Sequence, residues 1–290
     1  MRAKFIDVKG VRTRYLYEGS GPPLVLIHGS GAFADNFYKN IDPLATQYTV
    51  YAPDVIGHGF TQPVAFEGLA YPAMVDHLCN FIDTLGLQRF HLAGWSMGGL
   101  LASLVYFRMP SRVQKLILIS SGSCFNTEEE ISKGQDGNAK NVAATFANLS
   151  VEAMRKRHMG SVHPKAKPPE EILMSHMTSY AQPGMKEFFE RMATSRADLN
   201  ALRPYRVFDK LEQITAPTLV VAGKDDPRAN YASAVAGAKR IPNARLIAFD
   251  ECGHRPFYEY YEQFNKAVLE FLAEPERAMP AAADRKEHRS

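Results

Sequence analysis

The chain has 290 residues, a formal net charge of +3 and three cysteines. Its length suits one large α/β domain with an insertion, and its small charge and lack of a long basic stretch disfavour a nucleic-acid partner. The longest apolar runs, such as residues 24–27, are too short to span a bilayer, and the N-terminus lacks the apolar segment of a signal peptide. The cysteines are odd in number and far apart, which indicates free thiols, so we expect a cytoplasmic protein with no membrane partner.

Short apolar runs alternate with helical patterns along most of the chain. The runs, typical of buried strands, are residues 12–18, 24–27, 48–51, 90–93, 115–119, 218–222 and 246–249. Helical patterns cover residues 35–45, 71–85, 97–108, 231–240 and 258–272. This alternation predicts the α/β class, with a mostly parallel central sheet that carries helices on both faces.

The alternation stops between about residues 122 and 205, where helical patterns and proline breakers occur without a clear strand. Because this stretch falls between two predicted strands, we interpret residues 122–205 as a helical cap inserted into a core of residues 1–121 and 206–272. Residues 273–290 are rich in alanine, proline and charge, and are predicted to be a disordered tail.

The pattern Gly-x-Ser-x-Gly stands at residues 94–98, between a predicted strand and a predicted helix. A residue on such a sharp corner takes a strained backbone conformation, and its neighbours two places away have no room for large side chains. The corner holds Oγ of Ser96 clear of the sheet, at a helix N-terminus that favours negative charge. Ser96 is therefore a candidate nucleophile, and the N–H of Met97 a candidate oxyanion donor; the alternative is a packing turn of small residues.

With this corner in place, the chain resembles the α/β-hydrolase family over about residues 5–272. The motifs that carry the resemblance are HGSG at 28–31, DVIGHGFT at 54–61, GWSMGG at 94–99, GKDD at 223–226 and CGH at 252–254. The resemblance implies the α/β-hydrolase fold and the activity of a serine hydrolase. It also implies that the backbone N–H of Ser30, in the loop after the strand 24–27, is the second oxyanion donor.

Serine needs an adjacent base, and histidine suits that role because its charge changes near neutral pH. His254 follows the last predicted strand and is interpreted as the base. A carboxylate must orient the imidazole. Asp225 and Asp226 both follow the strand 218–222, and the family pattern favours Asp226 over its neighbour. The chain order Ser96, Asp226, His254 is the order expected for this fold.

The other histidines have simpler interpretations. His28 is expected to shape the oxyanion loop, and His158, His163 and His176 are expected at the surface of the insertion, with substrate contact as the alternative. We predict no metal, since the metal-ligand spacing His-Glu-x-x-His is missing from the sequence. We also predict no cofactor, since the corner lacks the Lys-Ser/Thr of a phosphate-binding loop.

Within the family, the chain is most similar to hydrolases that cleave ring-fission products of aromatic degradation, and it departs from them at three positions. Trp95 stands where those enzymes usually have asparagine, and Arg255 where they usually have tryptophan. Ser175 or His176 aligns with a cap arginine that holds the substrate carboxylate in that family. These departures weigh against C–C bond cleavage.

The residues expected to line the substrate pocket are Trp95, Gly29, Arg255 and His176, and Arg191 or Arg196 would have to replace the missing arginine. We predict a serine hydrolase that cleaves a small-to-medium carboxylic ester or lactone through an acyl-enzyme. The alternatives are a C–C bond hydrolase of ring-fission products, a cofactor-free perhydrolase or haloperoxidase-like enzyme, and a non-catalytic ligand-binding member of the fold. The expected partner is a small-molecule substrate, and a homo-oligomer is compatible with the sequence.

Overall fold

The computed structural model describes residues 1–196 and 198–275, with the helical backbone alone for residues 132–141. Within these residues the strands are β1 (Arg2–Val8), β2 (Val11–Glu18), β3 (Pro23–Ile27), β4 (Thr49–Pro53), β5 (Phe90–Trp95), β6 (Val113–Ile119), β7 (Thr218–Gly223) and β8 (Ala244–Phe249). They form an eight-stranded sheet in the order β1-β2-β4-β3-β5-β6-β7-β8. β2 is antiparallel to both of its neighbours, and β3 to β8 are parallel. The predicted mostly parallel sheet is confirmed.

Helices cover both faces of this sheet. The α-helices are α1 (Ile41–Leu44), α2 (Ala70–Thr84), α3 (Met97–Arg108), α4 (Gly122–Phe125), α5 (Glu128–Ala147), α6 (Val151–Met159), α7 (Glu170–Tyr180), α8 (Met185–Ser195), α9 (Leu199–Leu202), α10 (Tyr231–Arg240), α11 (Pro256–Glu259) and α12 (Tyr261–Ala273). Short 3₁₀ turns occur at Ala34–Phe37, Arg203–Tyr205 and Phe208–Gln213.

Two apolar clusters lie on opposite faces of the sheet. Along β5, Leu92 joins the cluster that contains α2 and α3, whereas Ala93 joins the cluster that contains α1 and α12. This alternation follows from the two-residue period of a strand, whose successive side chains point to opposite faces. The sheet is therefore buried on both sides and provides a rigid base for the loops at its edge.

The structure differs from the sequence-based expectations at three places. β1 was not predicted, because most of its side chains are exposed and carry no core pattern. The predicted helix over residues 35–45 is a 3₁₀ turn followed by α1, since Pro43 has no N–H to continue a helical ladder. The predicted helix over residues 258–272 is broken into α11 and α12 at Tyr260, whose φ is −125°.

The helices α4 to α9 all lie between β6 and β7, within residues 122–205, and we call this segment the insertion. Its described residues contain no strand, as predicted. Ala273 of the predicted disordered tail is the last residue of α12, and residues 276–290 lie outside the described residues. Within the described part of the chain, no helix is long and apolar enough to cross a membrane.

Candidate active site

Ser96 occupies the corner between β5 and α3 with φ 55° and ψ −121°. Residues other than glycine rarely adopt this backbone conformation, so the corner is strained. A Cβ on Gly94 would lie 2.1 Å from the carbonyl oxygen of Gly98, and one on Gly98 would lie 2.2 Å from that of Ile27. Both glycines are therefore required for the strand and the helix to approach each other this closely.

His254 and Asp226 follow β8 and β7 and meet at the same edge of the sheet. Nδ1 of His254 lies 2.8 Å from Oδ2 and 3.0 Å from Oδ1 of Asp226. The backbone N–H groups of Arg228 and Ala229 also donate to Oδ1, at 2.7 and 2.9 Å. These bonds fix a buried carboxylate against the imidazole, while the neighbouring Asp225 is exposed.

The buried side chain of Trp95 lies beside Ser96 and His254. Its Nε1–H donates to the carbonyl oxygen of His254 at 2.8 Å, and its ring contacts that of Phe257 at a centroid distance of 4.9 Å. The backbone N–H of His254 donates to the carbonyl oxygen of Ser161, in the insertion, at 2.7 Å. The loop that carries His254 is thus held from both the core and the insertion.

Residues 29–31 form the predicted oxyanion loop. The N–H of Val55 donates to Nε2 of His28 at 3.0 Å, so the proton of this imidazole lies on Nδ1, which donates to the carbonyl oxygen of Gly29 at 2.8 Å. Burial lowers the pKa of His28 to about 4, which keeps the ring neutral. His28 therefore shapes the loop, as predicted.

A cavity of about 520 Å³ opens over Ser96. Ser96, His254 and the loop 29–31 line it, together with Trp95 and Met97. Asp226 lies behind His254 and is not part of the lining. Met97 is the first residue of α3, so its backbone N–H has no hydrogen-bond partner within the helix. The structure thus brings the predicted nucleophile, base and oxyanion donors to one cavity.

The cavity is strongly basic. Arg157, Arg228 and Arg255 line it, and none of them forms an ion pair with a carboxylate of the described residues. Burial and the repulsion of the two other guanidinium groups lower the pKa of Arg255 to about 9. Glu130 also lines the cavity, but its carboxylate accepts bonds from Thr127 and Ser233. Guanidinium groups without an ion-pair partner favour an anionic ligand.

Of the predicted pocket residues, Gly29, Trp95 and Arg255 line the cavity and His176 does not. His176 is 1% exposed, and its two ring nitrogens bond to the carbonyl oxygen of Gly31 and to His158. The expectation of a surface position is wrong for both His158 and His176, because each is buried and paired. His176 is therefore not available to a ligand in the cavity.

Two of the basic residues were missed by the sequence analysis. Arg157 and Arg228 carry no motif, and only the fold shows that they reach the cavity. Of the two predicted replacements for the missing arginine, Arg196 lines the cavity, whereas Arg191 stacks over the ring of Phe66 at 5.0 Å. The described residues contain no group of three His, Cys, Asp or Glu side chains that would hold a metal ion.

The chain is similar to known hydrolases over most of its length. A family model described as "alpha/beta hydrolase fold" matches residues 22–260. A 2-hydroxy-6-oxononadienedioate/2-hydroxy-6-oxononatrienedioate hydrolase of Burkholderia vietnamiensis is 30% identical over 280 residues, which cover 93% of this chain and 95% of that protein. A pimeloyl-(acyl-carrier protein) methyl ester esterase of Nitrosomonas europaea is 26% identical over 251 residues, with coverages of 85% and 94%.

A solved structure shares the architecture. The meta-cleavage product hydrolase from Pseudomonas fluorescens IP01 superposes with a TM-score of 0.77 at 28% identity, covering 93% of this chain and 97% of that one.

Proposed function

The chain belongs to the α/β-hydrolase fold family and is a hydrolase, and on that premise we propose that it cleaves a C–C bond in an anionic ring-fission product. Residues 1–121 and 206–272 form the catalytic core in this proposal, and residues 122–205 form the cap. The observation that supports the proposal is the cluster of three arginines in the cavity beside Ser96, none of which forms an ion pair with a carboxylate of the described residues. The substrate in the name of the Burkholderia relative is a dioate, which carries two carboxylates.

Arg157 is the proposed partner of a substrate carboxylate. The position that the family resemblance assigns to a cap arginine holds Ser175 or His176, and both ring nitrogens of His176 are hydrogen-bonded within the protein. Arg157 lies on α6 close to the oxyanion loop, because a Cβ on Gly31 would be 2.2 Å from its Nη2. The positive charge that a dienoate requires is therefore supplied from α6 instead of α7.

The chemistry follows from the geometry. His254 takes the proton of Ser96, and Oγ attacks a carbonyl carbon of the substrate. The backbone N–H groups of Ser30 and Met97 stabilise the oxyanion, and Asp226 holds His254 in the correct tautomer. Protonated His254 gives its proton to the leaving carbon as the bond between this carbon and the carbonyl carbon breaks. Neutral His254 then deprotonates the water that hydrolyses the acyl-enzyme. The products are one carboxylic acid and one shortened dienoate.

Ester hydrolysis, which the sequence analysis favoured, is the second candidate. Two observations favour it: the chain has Trp95 and Arg255 at positions where ring-fission hydrolases usually have asparagine and tryptophan, and one relative is a methyl ester esterase. The two candidates share the nucleophile, the base and the oxyanion donors, so they differ only in the group that leaves.

The test is a direct comparison of substrates on one enzyme preparation. A 2-hydroxy-6-oxo-dienoate and p-nitrophenyl esters of increasing acyl length are assayed with the wild type and with Ser96→Ala. We expect a higher kcat/KM for the dienoate, with release of the carboxylic acid and no turnover by the variant. Cleavage of the esters with no consumption of the dienoate would replace this proposal by the second candidate.

A further inference from the structure

We infer that Arg255, His158 and His176 form a hydrogen-bond chain that positions the oxyanion loop, so that two histidines of the insertion act as positioning residues. This hydrogen-bond chain begins at Arg255, the residue after His254, and ends at the carbonyl oxygen of Gly31. The inference rests on the proposed roles of the nucleophile and of the oxyanion donor Ser30.

Only one pattern of protons fits this chain. The carbonyl oxygen of Gly31 can only accept, so Nε2 of His176, 2.8 Å away, must carry a proton. Nδ1 of a neutral His176 then accepts from Nε2 of His158 at 2.9 Å. Nδ1 of His158 in turn accepts from Nη1 of Arg255 at 2.6 Å, because a guanidinium can only donate. Every bond points from Arg255 toward Gly31.

The surroundings keep both imidazoles neutral. Burial lowers the pKa of His176 to about 3, and the pKa of His158 is lowered further by burial and by Arg255. Arg157 and Arg228 add repulsion toward a second proton on His158. Protonation of either ring would also set two donors against each other within the chain. The bond pattern is therefore stable at neutral pH.

The last bond of the hydrogen-bond chain, from His176 to Gly31, fixes the oxyanion loop from the insertion. In the core, His28 donates to the carbonyl oxygen of Gly29, whose peptide unit contains the N–H of Ser30. From the insertion, His176 and Tyr180 both donate to the carbonyl oxygen of Gly31, at 2.8 and 3.0 Å. The N–H of Ser30 lies between these two anchored carbonyl groups, so its direction is set from both sides.

The beginning of the chain is attached to the loop of the catalytic base. The guanidinium of Arg255 stacks on Trp95, with Cζ 4.8 Å from the ring, and its Nε donates to Oγ of Ser161 at 2.9 Å. The carbonyl oxygen of Ser161 accepts the backbone N–H of His254. The same short stretch of the insertion thus holds the base and, through the two histidines, the oxyanion donor.

Substitutions at His176 test the chain with a matched pair. The amide N–H of glutamine reaches the position of Nε2, whereas that of asparagine reaches only the position of Nδ1. We expect His176→Asn and His176→Leu to lower kcat for p-nitrophenyl butyrate by roughly 10- to 100-fold with little change in KM, since losing an oxyanion donor outright costs about 10²–10³ in kcat. His176→Gln should retain most of the activity. His158→Leu should lose less than His176→Leu and resemble His176→Gln, because both keep a donor to Gly31 and lose only the bond between positions 158 and 176, and the double leucine variant should lose no more than His176→Leu alone.

Two measurements separate the possible failures. Circular dichroism and thermal melting show which variants fold. If the leucine variants do not fold, the comparison of His176→Asn with His176→Gln tests the inference. Labelling of Ser96 by a fluorophosphonate in the wild type tests the proposed function independently. If the wild type is labelled but folded His176→Asn turns over as fast as His176→Gln, the inference is overturned. If the wild type is not labelled, the proposed function fails instead.

Discussion

The sheet edge and the insertion hold their side chains at the cavity by different means. At the sheet edge, Ser96, Asp226 and His254 follow three parallel strands, and close backbone contacts at glycines fix the corner. In the insertion, Arg157 on α6 lines the cavity, and His176 on α7 lies behind the lining and bonds to the carbonyl oxygen of Gly31 in a loop of the core. In the proposed function, the first arrangement fixes the reacting atoms, whereas the second sets charge and orientation around them.

This difference predicts two classes of variant. Changes at the sheet edge remove the chemistry for every substrate, because the reacting atoms themselves are lost. Changes in the insertion alter the rate by a smaller factor, or alter the choice of substrate, because the reacting atoms stay in place.

The largest effect is expected for Ser96→Ala. Removal of Oγ eliminates the nucleophile, so kcat for every substrate should fall on the order of 10⁴-fold or more. The exposed Ser20 provides a control, since Ser20→Ala should leave turnover unchanged. Intact-mass analysis after fluorophosphonate treatment should find an adduct in the wild type and none in Ser96→Ala. An adduct that persists in the variant would place the nucleophile elsewhere.

The next effect separates two adjacent carboxylates. Asp226→Asn should lower kcat by about 10²–10⁴-fold, since an amide favours the wrong tautomer of His254. Asp225→Asn should stay within about threefold of the wild type, because this side chain is exposed and has no bond to the imidazole. Steady-state kinetics on one ester rank the two variants. A larger loss of kcat in Asp225→Asn than in Asp226→Asn would show that Asp225 is the acid.

The smallest effect concerns stability and compares a buried histidine of the core with one of the insertion. Burial lowers the pKa of His77, which lies on α2 and bonds to Thr13 of β2, to about 4, and that of His176 to about 3. Near pH 5 the unfolded chain binds a proton at each site that the folded protein does not. Each histidine should therefore lower the free energy of unfolding by about 1–2 kcal/mol between pH 7 and pH 5.

Urea denaturation at the two pH values measures this loss. His77→Gln and His176→Gln each remove one titrating group and keep a donor at the position of Nε2, so each should reduce the pH dependence. An unchanged pH dependence in both variants would contradict the neutral, buried state of these rings.

The sheet edge was predictable from the sequence because each proposed reacting residue follows a strand and carries a local signature. Ser96 lies between two glycines, Asp226 follows an apolar run that ends in glycine, and His254 follows a glycine after the last strand. The steric need for glycine at the corner acts over a few residues, so a short stretch of sequence contains all the information.

The contacts of the insertion's polar side chains were not predictable, because they join residues that are far apart in the sequence. His158 bonds to Arg255 across 97 positions in the chain, and His176 bonds to Gly31 across 145. Helical periodicity indicates which face of a helix is apolar, but it does not show which distant loop a polar side chain will meet. The burial of both histidines and the approach of Arg157 to the cavity depend on such distant contacts.

The central claim is that the sheet edge hydrolyses and the insertion selects an anionic substrate. Mono-p-nitrophenyl adipate and p-nitrophenyl hexanoate share a leaving group and an acyl length and differ in one terminal carboxylate. The ratio of their kcat/KM values in the wild type, Arg157→Gln and Arg155→Gln tests the claim most directly, because Arg155 lies on the same helix but pairs with Glu152 and Glu170. We expect the wild type and Arg155→Gln to prefer the adipate ester by about 10-fold or more, as a charge-assisted contact allows. Arg157→Gln should lose this preference and hydrolyse the hexanoate ester at the same rate as the wild type. Equal ratios in all three proteins, or a wild type that prefers the hexanoate ester, would contradict the claim.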